Sequence, residues 1–413
     1  MRKNINKLVA VAIGVSIMSG SALPVFAADA TAITTNTSAT TVTTTQNTSA
    51  STVTSVQAQT KPVLTLDDAI TAAVNNSDSL TLQEKYVKLQ EDQLDIEDEI
   101  DDNGFPYDRL ELVVKKSKEQ KDFLEDQIAQ DITNKYNEIV TKGKELDKVK
   151  KKIEVGTKEF KDSELKNKLG LLTAVELKNK EIDIQNLKNN QKDIENKLKN
   201  KQDYFKVLTD KDLSKYVLEQ DIKFESFKID GSADEYFDNV IEKYLKYDEE
   251  ILKLTKDDAK DHAKSKPNKD DSAYNTTTTD PVTKVTTTVF NKNSYNSALR
   301  TYGGYLTDKY NNSLDTVTLD TKKKNIKDGL KDKYATLLDL ENKINVMKSS
   351  TSVDNKQISI AKLKYDLGLI TKTEYNKEAL KLEKEDLEVT LRGYIEEYNK
   401  QKNYIQKPWL LYQ

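Results

Sequence analysis

An apolar residue recurs every three or four positions along one stretch of this chain, and this spacing constrains the fold more than any other feature. The stripe comprises Leu124, Ile128, Ile132, Tyr136, Ile139, Leu146, Val149 and Ile153. Because an α-helix turns once in about 3.6 residues, these side chains share one narrow helix face. The helical pattern runs from about Asp108 to about Leu169, which predicts a rod of about 90 Å. A globular core cannot cover such a stripe, so the helix needs partner helices beside it, as in a coiled coil.

The composition agrees with long, thin helices. The 413 residues include only 12 glycines and 6 prolines, while 36% are hydrophobic and 32% are charged. Such a mixture is typical of extended helical proteins rather than of compact α/β enzymes. The 65 basic and 69 acidic residues nearly balance, so nothing indicates the basic face that nucleic-acid binding requires. The absence of cysteine excludes disulfides, thiolate metal sites and cysteine nucleophiles.

Residues 1–27 have the pattern of a secretory signal peptide. A positively charged start precedes an apolar run, residues 8–18, which is too short to span a bilayer core of ~30 Å as a helix. Small residues lead to an expected cleavage after Ala27. Residues 28–61 are mostly Thr, Ser, Ala, Val and Gln, a composition that predicts a disordered tether. We therefore expect an exported protein whose folded part begins near residue 62.

The second half of the sequence repeats the first when it is shifted by 198 positions. Apolar positions then coincide without a gap: Ile128 with Ile326, Ile132 with Leu330, Tyr136 with Tyr334, Ile139 with Leu337, Leu146 with Ile344, Val149 with Met347, Phe160 with Ile358, Leu165 with Leu363, and Leu169 with Leu367. Matching glycines and threonines in the same register argue against a chance coincidence of heptads. The sequence predicts two tandem repeats, residues 62–228 and 229–413.

The best match between the repeats predicts two tight helix–helix turns. Residues 169–173 read Leu-Gly-Leu-Leu-Thr and residues 367–371 read Leu-Gly-Leu-Ile-Thr. Gly170 and Gly368 suit the position that follows a helix, where φ is positive and a side chain would clash. Thr173 and Thr371 are each followed three residues later by Glu, which predicts a capping box at the start of the next helix.

Helix lengths add an inference about packing. In the first repeat we expect helices from Asp78 to Asp101 and from Thr173 to about Thr209, whose summed length nearly equals that of the long helix between them. The two shorter helices would therefore stack end to end beside it. In the second repeat we expect helices at about 233–262, 316–367 and 371–402, with a polar insert at 265–315. The fold class is all-α, built from two repeats of long antiparallel coiled-coil helices.

In these features the chain resembles the TolC family of outer-membrane efflux proteins. The resemblance rests on the opening Leu-Thr-Leu-Asp-Asp-Ala-Ile at 64–70, on the duplication, and on the two turns. It implies a homotrimer in which each chain supplies two repeats to a hollow α-helical barrel beneath a β-barrel. It also implies that the turns meet a membrane-fusion adaptor, which is joined to an inner-membrane transporter. Carried over by residue, the adaptor-docking tips are Gly170, Leu171, Thr173, Gly368, Leu369 and Thr371.

The places where that family carries membrane strands are short here. A spanning strand needs about 9–11 residues of alternating pattern, and residues 101–107 leave no room for one. The insert at 265–315 includes a modest alternation at Thr283, Val285, Thr287 and Val289. We therefore expect at most a small β-hairpin and a reduced or absent β-barrel.

The sequence offers little chemistry for catalysis or metal binding. His262, the only histidine, has Asp258 one helical turn before it, but two ligands do not make a metal site. The residues from Glu99 to Leu110 resemble a calcium loop, yet Leu110 stands where that loop requires Glu. Nucleotide-binding and hydrolase motifs are absent from the sequence. We therefore expect no enzyme activity, cofactor or bound metal.

Two functions remain open. The first is a TolC-like conduit component of an export system in the cell envelope. The second is a secreted or envelope-associated coiled-coil scaffold without transport activity. The matched turns favour the conduit, because a spacer needs no pair of similar tips. The short strand segments favour the scaffold and make an outer-membrane location an implication of the resemblance alone.

Overall fold

A computed structural model describes residues 61–372, 374–376 and 384–412. The predicted signal peptide and all of the predicted tether except its last residue lie outside the described residues. None of the described helices combines the length and apolar character that crossing a membrane would require.

The described chain is predominantly α-helical, as the sequence predicts. The bounds of seven α-helices are defined among the described residues: α1 (Leu66–Asn75), α2 (Asp78–Ile100), α3 (Phe105–Lys168), α4 (Ala174–Thr209), α5 (Ala233–Asp261), α6 (Lys292–Asp366) and α7 (Lys384–Gln406). Residues 372 and 374–376, after the end of α6, are helical as well. The strands are short: β1 (Val63–Leu64), β2 (Val217–Leu218), β3 (Asn275–Thr279) and β4 (Thr286–Phe290). β1 pairs with β2 in parallel, and β3 pairs with β4 in antiparallel orientation.

Local sequence signals set the first helix boundaries. The Thr65 side chain accepts a hydrogen bond from the Asp68 backbone N–H at 3.1 Å and so caps α1, while Asp67 and Asp68 place negative charge at its positive end. Ser77 caps α2 in the same way through the Leu80 N–H. Pro106 lies in the first turn of α3, where its missing N–H costs nothing. These boundaries agree with the sequence prediction to within about three residues.

The helices form a layer four rows wide. The second row is α3, which packs against α2 and α4 on one side and against α5 and α7 on the other. The fourth row is α6, which packs against α5 and α7. The outer rows are therefore α2 with α4 at one edge of the layer and α6 at the other.

The short helices of the first row meet end to end, as their lengths predict. The Asn76 side-chain amide donates to the backbone oxygens of Val207 and Leu208, both at 3.1 Å. This contact joins the start of α2 to the end of α4. The two helices have 23 and 36 residues and lie beside the 64 residues of α3.

The apolar stripes of the two long helices supply the core. Positions that are 198 apart are buried in both helices: Ile132 and Leu330, Ile139 and Leu337, Leu146 and Ile344. One predicted apolar position behaves differently, because Ile100 at the end of α2 is exposed. Leu80 and Val87 of the same helix are buried, so α2 carries a second apolar face that its own chain does not cover.

The polar insert is shorter than the sequence predicts. The helix expected to start at about 316 begins instead at Lys292, where the Asn291 side chain accepts a hydrogen bond from the Ser294 N–H at 3.0 Å. Gly303 and Gly304 lie inside this helix with open space around them. Because glycine has a low helix propensity, the sequence of this segment predicted a loop. The expected hairpin is present as β3 and β4, but Thr283 and Val285 lie in its turn rather than in a strand.

Candidate functional site

The two helix–helix turns have the same backbone geometry. Gly170 has φ +70° and Gly368 has φ +72°, a region that L side chains enter only with strain. The Leu171 N–H donates to the Lys166 oxygen at 2.9 Å, and the Leu369 N–H donates to the Lys364 oxygen at 2.9 Å. With the glycine N–H bonds to Asn167 and Tyr365, each turn is a Schellman motif that satisfies the last carbonyls of its long helix. The predicted positive φ at both glycines is confirmed.

Each tip also carries the predicted capping box. The Thr173 backbone N–H donates to Glu176 Oε2 at 2.9 Å, and the Glu176 N–H donates to Thr173 Oγ1 at 3.2 Å. The corresponding distances between Thr371 and Glu374 are 2.8 and 3.1 Å. The backbone N–H of the threonine, followed by its hydroxyl, holds the pKa of each glutamate below its usual range. The caps are therefore strongest when both glutamates are ionised.

The two tips differ in how the turn is braced. In the first tip, the Asn167 side-chain amide donates to the Leu172 backbone oxygen at 2.8 Å across the turn. The second tip has Tyr365 at the equivalent position, and its ring stacks on Tyr375 at 5.6 Å between centroids. An amide brace and an aromatic brace thus support similar backbones, so the tips are alike in shape and different in chemistry.

The tip leucines face solvent. Leu171 is 73% exposed and Leu369 is 70% exposed. Four further leucines are exposed just before the tips: Leu165, Leu169, Leu363 and Leu367. In the sequence these leucines served only as evidence for the repeat. Their spacing of four residues on the last turn of each long helix was the available signal. Each tip therefore presents exposed leucines beside a hydrogen-bonded glycine turn, and all six predicted docking residues are exposed.

A second feature is an exposed apolar stripe at each edge of the layer. On α2 the stripe consists of Leu82, Tyr86, Leu89, Ile96 and Ile100; on α6 it consists of Leu306, Tyr310, Leu314 and Val317. Both runs keep the spacing of three and four residues, or multiples of it, that places side chains on one helix face. Contiguous exposed apolar surface of this kind marks an interaction site. Sequence reasoning did not find these stripes because apolar periodicity alone does not separate a core face from an outer face.

The remaining candidate ligands do not assemble into a metal centre. His262 lies at the end of α5, exposed, with its Nδ1 atom 3.0 Å from Asp258 Oδ1. Within the part of the chain that the structure describes, no three His, Cys, Asp or Glu side chains are placed to hold a metal ion. The acidic residues near Asp101 lie at the turn between α2 and α3, where the Asn103 N–H donates to the Asp101 carboxylate at 3.2 Å. This contact is an ordinary turn bond.

Comparison of the sequence with known proteins gives no match to a protein-family model and none to a curated protein.

Solved structures do match this fold over most of its length. CusC, described in connection with transmembrane channel formation, is 12% identical, covers 84% of this chain and 91% of its own, and has a TM-score of 0.55. A membrane protein from Pseudomonas aeruginosa is 11% identical, with coverages of 83% and 92% and a TM-score of 0.53. The outer membrane protein VceC from Vibrio cholerae is 10% identical, with coverages of 83% and 96% and a TM-score of 0.52. At such identities the likeness concerns the fold alone: the chain has the TolC-like helical fold of outer-membrane channel proteins.

Proposed function

We propose that this protein is a TolC-like conduit component of an envelope export system. In this proposal three copies form a closed ring of helices, and the tips dock on a membrane-fusion adaptor that is joined to an inner-membrane transporter. The chain is exported, resides in the cell envelope, and acts by forming a passage rather than by catalysis. The solved structures of similar fold are channel or membrane proteins by description, which supports this class of function.

The observation that carries the proposal is the open layer with an exposed apolar stripe at each edge. The stripe on α2 and the stripe on α6 belong to different edges of the same chain, so one copy cannot cover both by itself. A contact between unlike surfaces repeats from copy to copy and closes into a ring if the rotation permits. Ring closure would bury both stripes in every copy.

The chain itself contains a template for this contact. Leu314 and Val317 of the α6 stripe lie 198 positions after Lys116 and Glu119 of α3. Lys116 forms an ion pair with Asp248 of α5, and Glu119 lies within electrostatic reach of the same carboxylate. The α3 face that meets α5 therefore corresponds to the α6 face that is exposed. In the two repeats, α6 corresponds to α3 and α5 corresponds to α2. The repeats thus support an arrangement in which α6 of one copy packs against α2 of the next copy, in the same way that α3 packs against α5 within a chain.

The first experiment tests the ring through the oligomeric state of the purified mature chain. We expect a trimer with a central cavity by light scattering and electron microscopy. Leu314→Glu combined with Val317→Glu should dissociate it while helicity is kept, because two charges would enter an apolar seam. Val282→Glu, at a hairpin residue that is 87% exposed, is the control and should remain trimeric. A monomeric or dimeric rod would favour the scaffold and reject the conduit.

The second experiment tests the tips. An exposed leucine beside a rigid turn is a suitable small anchor for a helical hairpin of the adaptor. Replacing Leu171 and Leu369 by Glu should leave helicity and trimer formation intact and abolish adaptor binding or export. The Val282→Glu protein again serves as the control. Normal export by a stable, trimeric Leu171→Glu/Leu369→Glu protein would reject the docking assignment.

A further inference from the structure

One face of α3 meets α5 and joins the first half of the chain to the second. Four residues spaced three or four positions apart form this face: Lys116, Glu119, Phe123 and Asp126. Lys116 forms an ion pair with Asp248 of α5, and the Phe123 ring meets the Tyr244 ring of α5 edge-on at 5.6 Å between centroids. Glu119 therefore lies between two contacts that hold α5 against α3.

Glu119 has no direct partner in this contact. Its side chain is half-buried, and within the part of the chain that the structure describes it forms no hydrogen bond or ion pair. Two of the lysines around it are engaged elsewhere, since Lys116 and Lys322 both pair with Asp248, the second at 3.7 Å. A third, Lys246, is exposed on α5. The helices thus hold a carboxyl between them without a cation against it.

Charged and titratable groups on three helices surround this carboxyl. They are Lys116 and Asp122 of α3, Tyr244, Lys246 and Asp248 of α5, and Lys322 of α6, which acts through Asp248; the ion pair of Asp126 with Lys407 lies two helical turns further along α3. Burial raises the pKa of Glu119 from its ordinary value of 4.5 to about 7, while Lys246 opposes the rise and Asp248 adds to it. The carboxyl is therefore neutral at acidic pH and charged at alkaline pH.

We infer that the contact between α3 and α5 responds to protons through Glu119: it is tight while this carboxyl is neutral and loosens when the carboxyl ionises. A charge without a direct partner is costly to keep half-buried between two helices, and it regains water only when the helices separate locally. The two halves of the chain therefore pack less tightly as the pH rises. The inference concerns a single chain and does not depend on the proposed ring.

The effect on stability has a defined direction. The folded chain holds the Glu119 proton more tightly than the unfolded chain does, because the pKa is raised on folding. The stabilisation is complete below the ordinary pKa and is lost as the pH rises through the raised value. The thermal midpoint should therefore decrease between about pH 4.5 and about pH 7, which is opposite in direction to the effect of the capping glutamates at the tips.

Trp409 provides a probe inside this contact. It is the only tryptophan, and its ring stacks on Phe123 at 4.3 Å between centroids, one helical turn from Glu119. In the full mature chain, acrylamide quenching of its fluorescence should rise about twofold or more between about pH 6 and about pH 8 while helicity by circular dichroism is unchanged. The only histidine, His262, is not the source of this change, since it follows Asp248 by about 20 Å along α5.

Glu119→Gln keeps the shape of the side chain and carries no charge. Its quenching should stay at the low-pH level of the parent throughout this range, and its thermal midpoint should lose part of the fall between about pH 5 and about pH 7. Glu154→Gln is the matched control on the same helix. A hydrogen bond from Lys158 holds the pKa of exposed Glu154 below its usual range, so Glu154 is charged at both pH values and its replacement should leave the profile of the parent unchanged.

A neighbouring lysine should move the midpoint of the transition. Lys246 is the principal charge that favours ionised Glu119, so Lys246→Gln should shift the pH midpoint of quenching upward by about 0.3–1 unit. Lys243→Gln, at another exposed position of α5, is the control and should stay within about 0.2 unit of the parent, because solvent screens more distant charges.

Three results would overturn the inference. Quenching of the parent that stays constant across the pH range would show that the contact does not respond to protons. A transition in Glu119→Gln equal to that of the parent would assign the titration to another group. Equal midpoints for Lys246→Gln and Lys243→Gln would also exclude Glu119 as the group that titrates.

Discussion

Glycine at the two tips is required by the backbone and not by crowding. A Cβ atom at Gly170 or Gly368 would meet nothing within 4 Å, but the φ values of +70° and +72° would strain any L side chain. The cost should be about 1–3 kcal/mol for each position. Gly143, in the interior of α3, also has open space around it but lacks a positive φ. Substitution of a tip glycine and substitution of Gly143 should therefore change the free energy of unfolding in opposite directions.

We expect Gly170→Val and Gly368→Val each to lower the free energy of unfolding by about 1–3 kcal/mol. Gly143→Ala should raise it by about 0.5–1 kcal/mol, because alanine restricts the unfolded chain and favours the helix. Urea unfolding followed by circular dichroism measures both. A tip valine variant as stable as the parent would mean that the turn has another conformation.

The capping glutamates predict a dependence of stability on pH. The pKa of Glu176 and of Glu374 is lowered in the folded chain by the threonine N–H, so the folded state binds these protons less readily than the unfolded state. Their contribution is complete above the ordinary glutamate pKa and is lost as the pH falls through the lowered value. Stability should therefore decrease on acidification below about pH 4.5.

Replacing both capping glutamates by Gln tests this dependence. Gln keeps an oxygen for the cap but does not titrate, so the variant should lose part of the fall in the thermal midpoint between about pH 5 and pH 3. Glu164→Gln is the matched control, since Glu164 is exposed near the first tip and belongs to no capping box. Parallel pH profiles for the double variant and the parent would show that the caps do not contribute.

At the scale of elements, the residues after α7 form a clasp, defined here as residues 407–412. The Trp409 ring stacks on Phe123 of α3 at 4.3 Å between centroids, and its Nε1 donates to Asp126 Oδ2 at 3.0 Å. The Tyr244 hydroxyl of α5 donates to the Tyr412 backbone oxygen. The clasp thus joins elements from both halves of the chain around one buried indole.

We expect Trp409→Ala to destabilise the protein by about 3–5 kcal/mol, the range for truncating a buried large aromatic. Trp409→Phe keeps an aromatic ring against Phe123 but loses the hydrogen bond and part of the buried ring, so it should cost less, about 1–3 kcal/mol. Urea unfolding followed by circular dichroism compares the two, because the parent's only tryptophan is the residue replaced. Equal stability of the alanine variant and the parent would show that the clasp is not part of the cooperative unit.

The elements show where sequence reasoning succeeds and where it stops. The stripe from Leu124 to Ile153 and the Gly-x-x-Thr turns specify local geometry, so the long helices and the tips could be predicted. The clasp could not, since Trp409 is recognised only through its partners on α3 and α5. The start of α6 at Lys292 was missed because Gly303 and Gly304 break helix propensity without breaking the helix. The contacts of buried Arg392 with α3 could not be predicted, because the sequence does not distinguish a buried charged residue from an exposed one.

At the scale of the whole molecule, the two predicted repeats are tied together more closely than a tandem duplication requires. Arg392 of the second half finds its partners on Asn137 and Thr141 of the first. The connecting segment places Phe224 and Phe227 against the core of the second half, and the Phe227 N–H donates to the Tyr398 hydroxyl at 2.7 Å. Neither half therefore contains all the groups that satisfy its own buried side chains.

This arrangement predicts that the halves fold together. Residues 62–228 and 229–413, expressed separately, should each lose the sharp unfolding transition of the intact chain, because Phe224 and Phe227 leave with the first fragment and expose the core that they cover. Expressed together, the fragments should associate and regain helicity, since the polar contacts between α3 and α7 and the contacts of the clasp need no covalent link between the halves. Circular dichroism and copurification measure both effects. A fragment that unfolds alone as cooperatively as the intact chain would show that this repeat is an independent domain. The contacts between α3 and α7 would then align the two halves without stabilising either of them.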